Sequence, residues 1–254
     1  MSKRLDLIHT CLTVLADVFL LWVLFHYGLG DWQTLVFLLL HFSPWSWLVL
    51  GLVLFLLLYR SDYRTDLPLF LAGFLLGYWG EWWGTTRGVW TYWNGATPPV
   101  YLPPLWGIGL LTVYRLSRLL APLLNRPLPR WMEWLMASSL ILLPALAFAQ
   151  SWPLLAAVDW RDRLDAHFFA GWLVGIGLLA LRFDLRKIFL LYVCGTLLGG
   201  FYESFGTAYH EWEYITHEVP PLWIAPLWGL AAAAMTNLAE LSTSVLKSLL
   251  SRKS

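Results

Sequence analysis

Residues 80–107, GEWWGTTRGVWTYWNGATPPVYLPPLWG, line up without a gap on residues 202–229, YESFGTAYHEWEYITHEVPPLWIAPLWG, at a constant offset of 122. Glu81, Gly84, Thr85, Trp90 and Tyr92 recur as Glu203, Gly206, Thr207, Trp212 and Tyr214. Pro98, Pro99 and the run Pro104-Leu105-Trp106-Gly107 recur as Pro220, Pro221 and Pro226-Leu227-Trp228-Gly229. Upstream, at the same offset, Arg60-x-Asp62-x-Arg64 returns as Arg182-x-Asp184-x-Arg186. A repeat of this length restricts the chain to folds that use one structural unit twice. Its content restricts them further, because Pro99, Pro103 and Pro104 and the carboxylate of Glu81 exclude a plain lipid-facing helix over this stretch.

The sequence around the repeat is of a different kind. With 59% hydrophobic and 13% charged residues in 254, the chain is too apolar for a soluble domain and reads as an integral membrane protein. A helix needs about 20 apolar residues to cross a bilayer. Eight segments qualify, at 7–28, 43–59, 67–83, 100–121, 131–150, 165–181, 188–205 and 222–245, while 34–42 is too short and reads as re-entrant or interfacial. The basic start and apolar run of residues 1–25 look like a signal peptide, but the run carries Asp17 and lacks a small-residue cleavage site, so it reads as a retained first span. A net charge of +1 without a Lys/Arg-rich run excludes nucleic acid as a partner. Cys11 and Cys194 lie in apolar segments with neither disulfide nor zinc spacing and read as inert core thiols.

Eight spans put both termini on one side of the membrane. Of the 17 Lys and Arg residues, all but Arg87, Arg161 and Arg163 fall on that side, which makes it cytoplasmic in a bacterial-type inner membrane. The expected fold class is therefore all-α, with two four-helix repeats at 1–125 and 126–254. An even number of spans per half gives the repeats parallel orientation, related by a pseudo-two-fold axis along the membrane normal. Both motif copies then lie on the outer face, opposite each other across a shared cavity. The Arg-x-Asp-x-Arg turns read as topology anchors.

Glu81 and Glu203 each stand at the outer end of an apolar helix among aromatic residues. Burial disfavours a charged carboxyl, which makes each a candidate general acid, or alternatively a cap or an ion-pair partner. Trp90, Tyr92, Trp212 and Tyr214, with Trp106 and Trp228 of the proline turn, could form an electron-rich wall for a cationic intermediate, or belong to the interfacial aromatic belt. Trp79, Trp82, Trp83 and Trp93, which do not recur, read as belt residues. The second copy is more polar, with His210, Glu211, Glu213, His217 and Glu218 in place of Gly88, Val89, Thr91, Gly95 and Ala96. His210 and Glu213 are candidates to assist proton transfer; the ligand types of His210, Glu213 and His217 also suit zinc or iron, although a hydrated loop explains the same polarity. No metal or other cofactor is expected. Asp17, in mid-span, faces either a cavity or a structural partner.

The spacing Glu81, Gly84, Gly88, Trp90, Tyr92 resembles the signature of the membrane-embedded lycopene cyclase domain family. The proline stretch, through Pro99, Leu102, Pro103 and Trp106 and again through Pro221, Leu222, Ile224 and Trp228, resembles the carotenoid hydratase family. In place of the cyclases' Pro-x-Glu-Glu element stands Pro-Leu-Trp-Gly. The resemblance implies paired multi-helix units that protonate a double bond of an isoprenoid or carotenoid and then cyclise or hydrate it, without a cofactor. On this reading Glu81 and Glu203 are proton donors and acceptors and the repeated Trp and Tyr residues bind substrate. The alternative is a carrier, binding protein or structural subunit for a lipophilic ligand. Membrane lipids are partners in either case, and a homo-oligomer or a complex with other membrane proteins stays open.

Overall fold

The computed structural model describes residues 3–28, 44–124, 126–155, 171 and 184–251. The expected apolar piece at 34–42, the acidic stretch around 159–165 and, except for residue 171, the span at 165–181 lie outside the described residues. Seven α-helices are described: α1 (Lys3–Val23), continued by a π-helical turn at Leu24–Gly28, α2 (Pro44–Leu58), α3 (Tyr63–Thr86), α4 (Leu102–Leu120), α5 (Arg130–Leu155), α6 (Leu185–Ala208) and α7 (Ile224–Ser251). Among the described residues four stretches are long and apolar enough to cross a bilayer, Asp6–His26, Leu102–Leu124, Leu185–Ala208 and Ile224–Leu249. They mark a membrane protein by length and composition. Leu15 on α1, Phe55 on α2 and Ile141 on α5 point outward, as residues solvated by lipid chains do.

The offset of 122 carries over into the elements. The bounds of α3 and α6, and the first residues of α4 and α7, differ by that number. Both α3 and α6 begin at the aspartate of the Arg-x-Asp-x-Arg turn. Asp62 accepts a hydrogen bond from the Arg64 amide at 3.2 Å and Asp184 one from the Lys187 amide at 3.2 Å. The turns read as topology anchors are thus also helix N-caps. Both α3 and α6 end one residue past a threonine, Thr85 or Thr207, whose hydroxyl donates to the carbonyl of Glu81 or Glu203 at 2.7 Å.

The expectation of an all-α chain needs one correction. Two short strands, β1 (Trp90–Tyr92) and β2 (Trp212–Tyr214), pair antiparallel with Trp90 opposite Tyr214, Thr91 opposite Glu213 and Tyr92 opposite Trp212. The ladder continues through Trp93 N–H to Glu211 O at 3.1 Å and Ile215 N–H to Val89 O at 2.9 Å. Between a helix end and a proline run the chain cannot stay helical, so its backbone polar groups need outside partners. Each motif copy finds them in the other. The copies are therefore in direct contact, not opposed across a cavity, and two interleaved aromatic pairs, Trp90 with Tyr214 and Tyr92 with Trp212, have centroids 5.8 Å apart.

Below the strands, α3 packs on α4 and α6 on α7. Glycines set both separations: a Cβ on Gly73 would lie 2.9 Å from the Gly107 Cα, and one on Gly195 2.9 Å from the Gly229 Cα. A large apolar core including Leu69, Leu111, Leu191 and Ala233 joins the two helix pairs, and a second cluster, with Trp83, Val89, Tyr92, Tyr214 and Trp223, lies under the strands. Trp83, read from sequence as a belt residue, is buried in that cluster, whereas Trp93 is 72% exposed. Cys194 is buried, but Cys11 faces outward on α1 and is not a core thiol.

One buried charge pair breaks the correspondence between halves. Arg115 on α4 donates to Asp66 on α3 at 2.6 Å and to the Leu56 carbonyl at 2.9 Å, while the positions 122 residues on hold Ile188 and Asn237. Removing one partner of a buried pair strands the other charge. Arg115→Met is expected to cost about 3–5 kcal/mol in thermal unfolding of the detergent-solubilised protein, and Asp66→Ile added to it is expected to recover most of that loss. A double variant no more stable than the single one would show that the pair is not the source of the loss.

Candidate functional site

Each repeated glutamate is held by the same three donors. Trp90 Nε1 and the Tyr92 hydroxyl donate to Oε2 of Glu81, both at 2.9 Å, and Trp106 Nε1 donates to Oε1 at 2.9 Å. In the second copy Trp212 Nε1 and the Tyr214 hydroxyl donate to Oε2 of Glu203 at 2.9 and 2.7 Å, and Trp228 Nε1 to Oε1 at 2.8 Å. An indole N–H can donate but never accept. The carboxyl group therefore accepts from both indoles, while the phenol, which can donate or accept, stands within hydrogen-bond distance of the same oxygen as the strand indole. Each hydrogen bond to a charged carboxylate contributes about 1.5–3 kcal/mol.

Local sequence makes this geometry available. On α3 and α6 the glutamate and the glycine three residues later share a helix face. The glycine leaves room for the indole that returns from the strand: a Cβ on Gly84 would fall inside the Trp90 ring, and one on Gly206 inside that of Trp212. One turn earlier, Gly77 and Gly199 receive the Trp106 and Trp228 rings in the same way. Those two indoles stack on each other, centroids 3.9 Å apart and 9° from parallel. Both ring faces of the stacked pair are therefore covered, by glycine backbone on the outside and by the partner indole between.

The turns flanking the strands explain the two histidines. Gly88 and Gly95 have φ of +66° and +68°, and their counterparts His210 and His217 have φ of +58° and +54°. Histidine is among the few residues besides glycine that this left-handed region accepts. His210 is exposed at the end of α6. Glu213 points away from the buried Trp212 and Tyr214 on either side of it and meets His217 Nδ1 at 2.6 Å. Neither His210 nor Glu213 hydrogen-bonds Glu203. Among the described residues no group of three or more His, Cys, Asp or Glu is placed to hold a metal.

Burial first, and then the charge of the adjacent glutamate, pushes the phenols of Tyr92 and Tyr214 well above the ordinary tyrosine range. Both stay protonated at any physiological pH and keep their donor role.

Beside the stacked indoles lies a cavity of about 270 Å³. Its wall runs along α4 from Leu102 to Val113, twelve residues whose eleven rises span about 16 Å of helix. Opposite are Leu198 to Phe205 of α6, with Leu24 and Val53 closing the third side. Trp106 and Trp228 line it; Trp90, Tyr92, Trp212, Tyr214 and the two glutamates do not. The polar ends of these four aromatic residues turn to the carboxylates, and the Trp90 and Trp212 rings cover Gly84 and Gly206, away from this cavity. Asp17 is also elsewhere, accepting from the Ser61 hydroxyl at 2.8 Å near the start of α3. Tyr202, Phe205 and Thr112 enter the wall unannounced, because their counterparts Gly80, Trp83 and Ala234 do not match them and a search for shared residues passes over them.

Comparison with protein-family models, with characterised proteins and with solved structures finds no match to this chain.

The clamps give a graded expectation. Tyr92→Phe removes one donor and is expected to cost about 1.5–3 kcal/mol in thermal unfolding in detergent. Whichever way its amide is turned, Glu81→Gln points an NH₂ at an indole N–H, which cannot accept, stranding that donor at a cost of about 1–3 kcal/mol. Equal stability of Glu81→Gln and wild type would show that the glutamate is held protonated.

Proposed function

We propose that this chain is an eight-span protein of two parallel four-helix units, 1–125 and 126–254, that takes up one linear isoprenoid or polyene chain in the cavity between α4 and α6. The observation that carries the reading is the cavity itself, an apolar slot about 16 Å long beside the stacked Trp106 and Trp228. A long, narrow, apolar space between helices suits a linear chain better than a compact polar ligand. The parallel units gain support from the constant offset of 122 between matching helices, strands and clamps.

Binding is preferred to modification on one physical ground. Protonating a double bond needs a proton on an oxygen that reaches the ligand. Glu81 and Glu203 lie behind the Trp106 and Trp228 indoles, outside the cavity wall, with three donors on each. The catalytic reading rests on the resemblance to carotenoid-modifying enzymes and on the nearness of the carboxylates to the wall, one indole away. It predicts a chemical change in the bound chain, whereas the binding reading predicts none.

Gly109 lines the cavity, and a Cβ there meets nothing closer than Trp228 Cζ3 at 3.8 Å. A side chain at residue 109 therefore starts in open cavity space, and Gly109→Phe is expected to fill it. In a host that makes linear carotenoids, the purified wild type is expected to carry unmodified polyene and Gly109→Phe to carry at most a tenth as much, read by extraction and absorbance. Cyclised or hydrated polyene, lost in Glu203→Gln, would replace binding by catalysis. The orientation, with termini in the cytoplasm and the strand pair outside, is checked separately: single cysteines at residues 94–97 are expected to react with a membrane-impermeant thiol reagent in intact cells, and protection there would reverse it.

A further inference from the structure

We infer that the cavity takes up a linear chain tail first, holds about three isoprene units of it, and has the buried Asp66–Arg115 pair as the floor that stops it there. This rests on the binding reading above and concerns the end of the cavity farthest from the strands. The α4 wall ends there at Thr112 and Val113, and Val53 of α2 lines the same end. Arg115 follows Thr112 by three residues, and Leu56 follows Val53 by three. The Arg115 guanidinium joins the two helices at that level, donating to the Leu56 carbonyl at 2.9 Å and to Asp66 of α3 at 2.6 Å. It thus crosses from α4 to α2 one turn below the wall. An apolar chain cannot pass without parting the ion pair, and a buried charge that loses its partner is costly.

The polar groups at this floor are already engaged. The Thr112 hydroxyl donates to the Ile108 carbonyl of its own helix at 2.9 Å, and Arg115 is held by Leu56 and Asp66. A hydroxyl or a charge arriving here finds no partner waiting, whereas a hydrocarbon tail meets Leu24, Val53 and Val113. The other end differs. Tyr202 brings a phenol to the wall there, its ring 5.3 Å from that of Trp212 on β2. The tail therefore goes to the floor, and the polar end of the ligand stays on the strand side.

Length and volume then agree on how much is held. An isoprene unit adds four carbon–carbon bonds of about 1.5 Å, which zigzag to about 5 Å when extended. A wall of about 16 Å takes about three such units. An apolar cavity of about 150 Å³ is enough to bind benzene, so one of about 270 Å³ has room for roughly ten to fifteen carbons. A longer polyene is held by one end only. The floor is not part of the duplicated scaffold, because the second half carries Ile188 and Asn237 at these positions.

Geraniol, farnesol and geranylgeraniol share one head and have two, three and four isoprene units. Their binding to the full-length purified protein in detergent can be read by native mass spectrometry and by tryptophan fluorescence, since Trp106 and Trp228 line the cavity. Farnesol is expected to bind at least tenfold more tightly than geraniol, and geranylgeraniol no more than threefold more tightly than farnesol, because a unit left outside adds no contact. Thr112→Phe, which raises the floor, is expected to bring farnesol down to the level of geraniol. Asp66→Ala combined with Arg115→Ala, which removes both charges and their bulk, is expected to let geranylgeraniol bind at least tenfold more tightly than farnesol. Farnesol with a second hydroxyl at its tail end is expected to bind wild type at least tenfold more weakly than farnesol, and equal binding overturns tail-first entry. Wild-type affinity that climbs as steeply from three units to four as from two to three overturns the inference, as does a break at farnesol that both variants leave in place. If a variant does not fold, the wild-type series still decides the depth. If none of the alcohols binds, the cavity reading itself fails; if all bind alike and Gly109→Phe blocks them, only the length inference does.

Discussion

A carboxylate inside an apolar protein is tolerable only when its hydrogen-bonding capacity is met, and most of this structure follows from meeting it twice. Glu81 needs three donors at once. Supplying them brings a strand tryptophan and tyrosine and a tryptophan from the next helix to the end of α3, which dictates the path of some 25 residues. The glycines at 77 and 84 are where that path crosses the helix. Without the ion there is no reason for the indole nitrogens to converge, and without the glycines there is no space for them. The same reasoning, 122 residues later, builds α6, β2 and α7 around Glu203.

The two assemblies then complete each other. Each strand is too short to be stable alone and each stacked indole has one face uncovered, so the pairing of β1 with β2 and of Trp106 with Trp228 closes both at one place. The Asp66–Arg115 pair lies where the halves differ, and so do Thr112, Tyr202 and Phe205 of the cavity wall, although the duplicated Trp106 and Trp228 also line it. The duplicated clamp residues hold the scaffold, and several of the divergent ones face the cavity.

That division governs what could be read from sequence alone. The repeat, the membrane character and the residues of the clamps, Glu81, Trp90, Tyr92 and Trp106 with their partners, are legible because hydrophobic runs and fixed spacings are one-dimensional signals. The seven described helices overlap seven of the eight expected segments, and four of them are long and apolar enough to cross a bilayer. What could not be read is direction. Nothing in the sequence says that the indoles point at the glutamates instead of at a ligand, since that depends on the turn between α3 and β1. Nor does it reveal that the motif copies touch, because strand pairing over 122 residues leaves no local trace. His210 and His217, conspicuous as chemistry in the sequence, turn out to occupy left-handed turns that glycine fills in the first copy. Thr112 and Tyr202 do not stand out as cavity-lining residues because they match nothing in the other half.

The stacking of Trp106 on Trp228 has a consequence in time. All the partners of Glu81 have been synthesised once residue 106 has emerged from the ribosome, so the first clamp can close early. Its outer strand edge and one face of its indole then wait through more than a hundred further residues before their cover exists. During that interval the first half sits in the membrane with an open edge that another nascent copy could match as well as its own second half. The covalent link between the halves therefore acts as a proofreader, giving the intended partner a high local concentration at the moment the exposed surface most needs one.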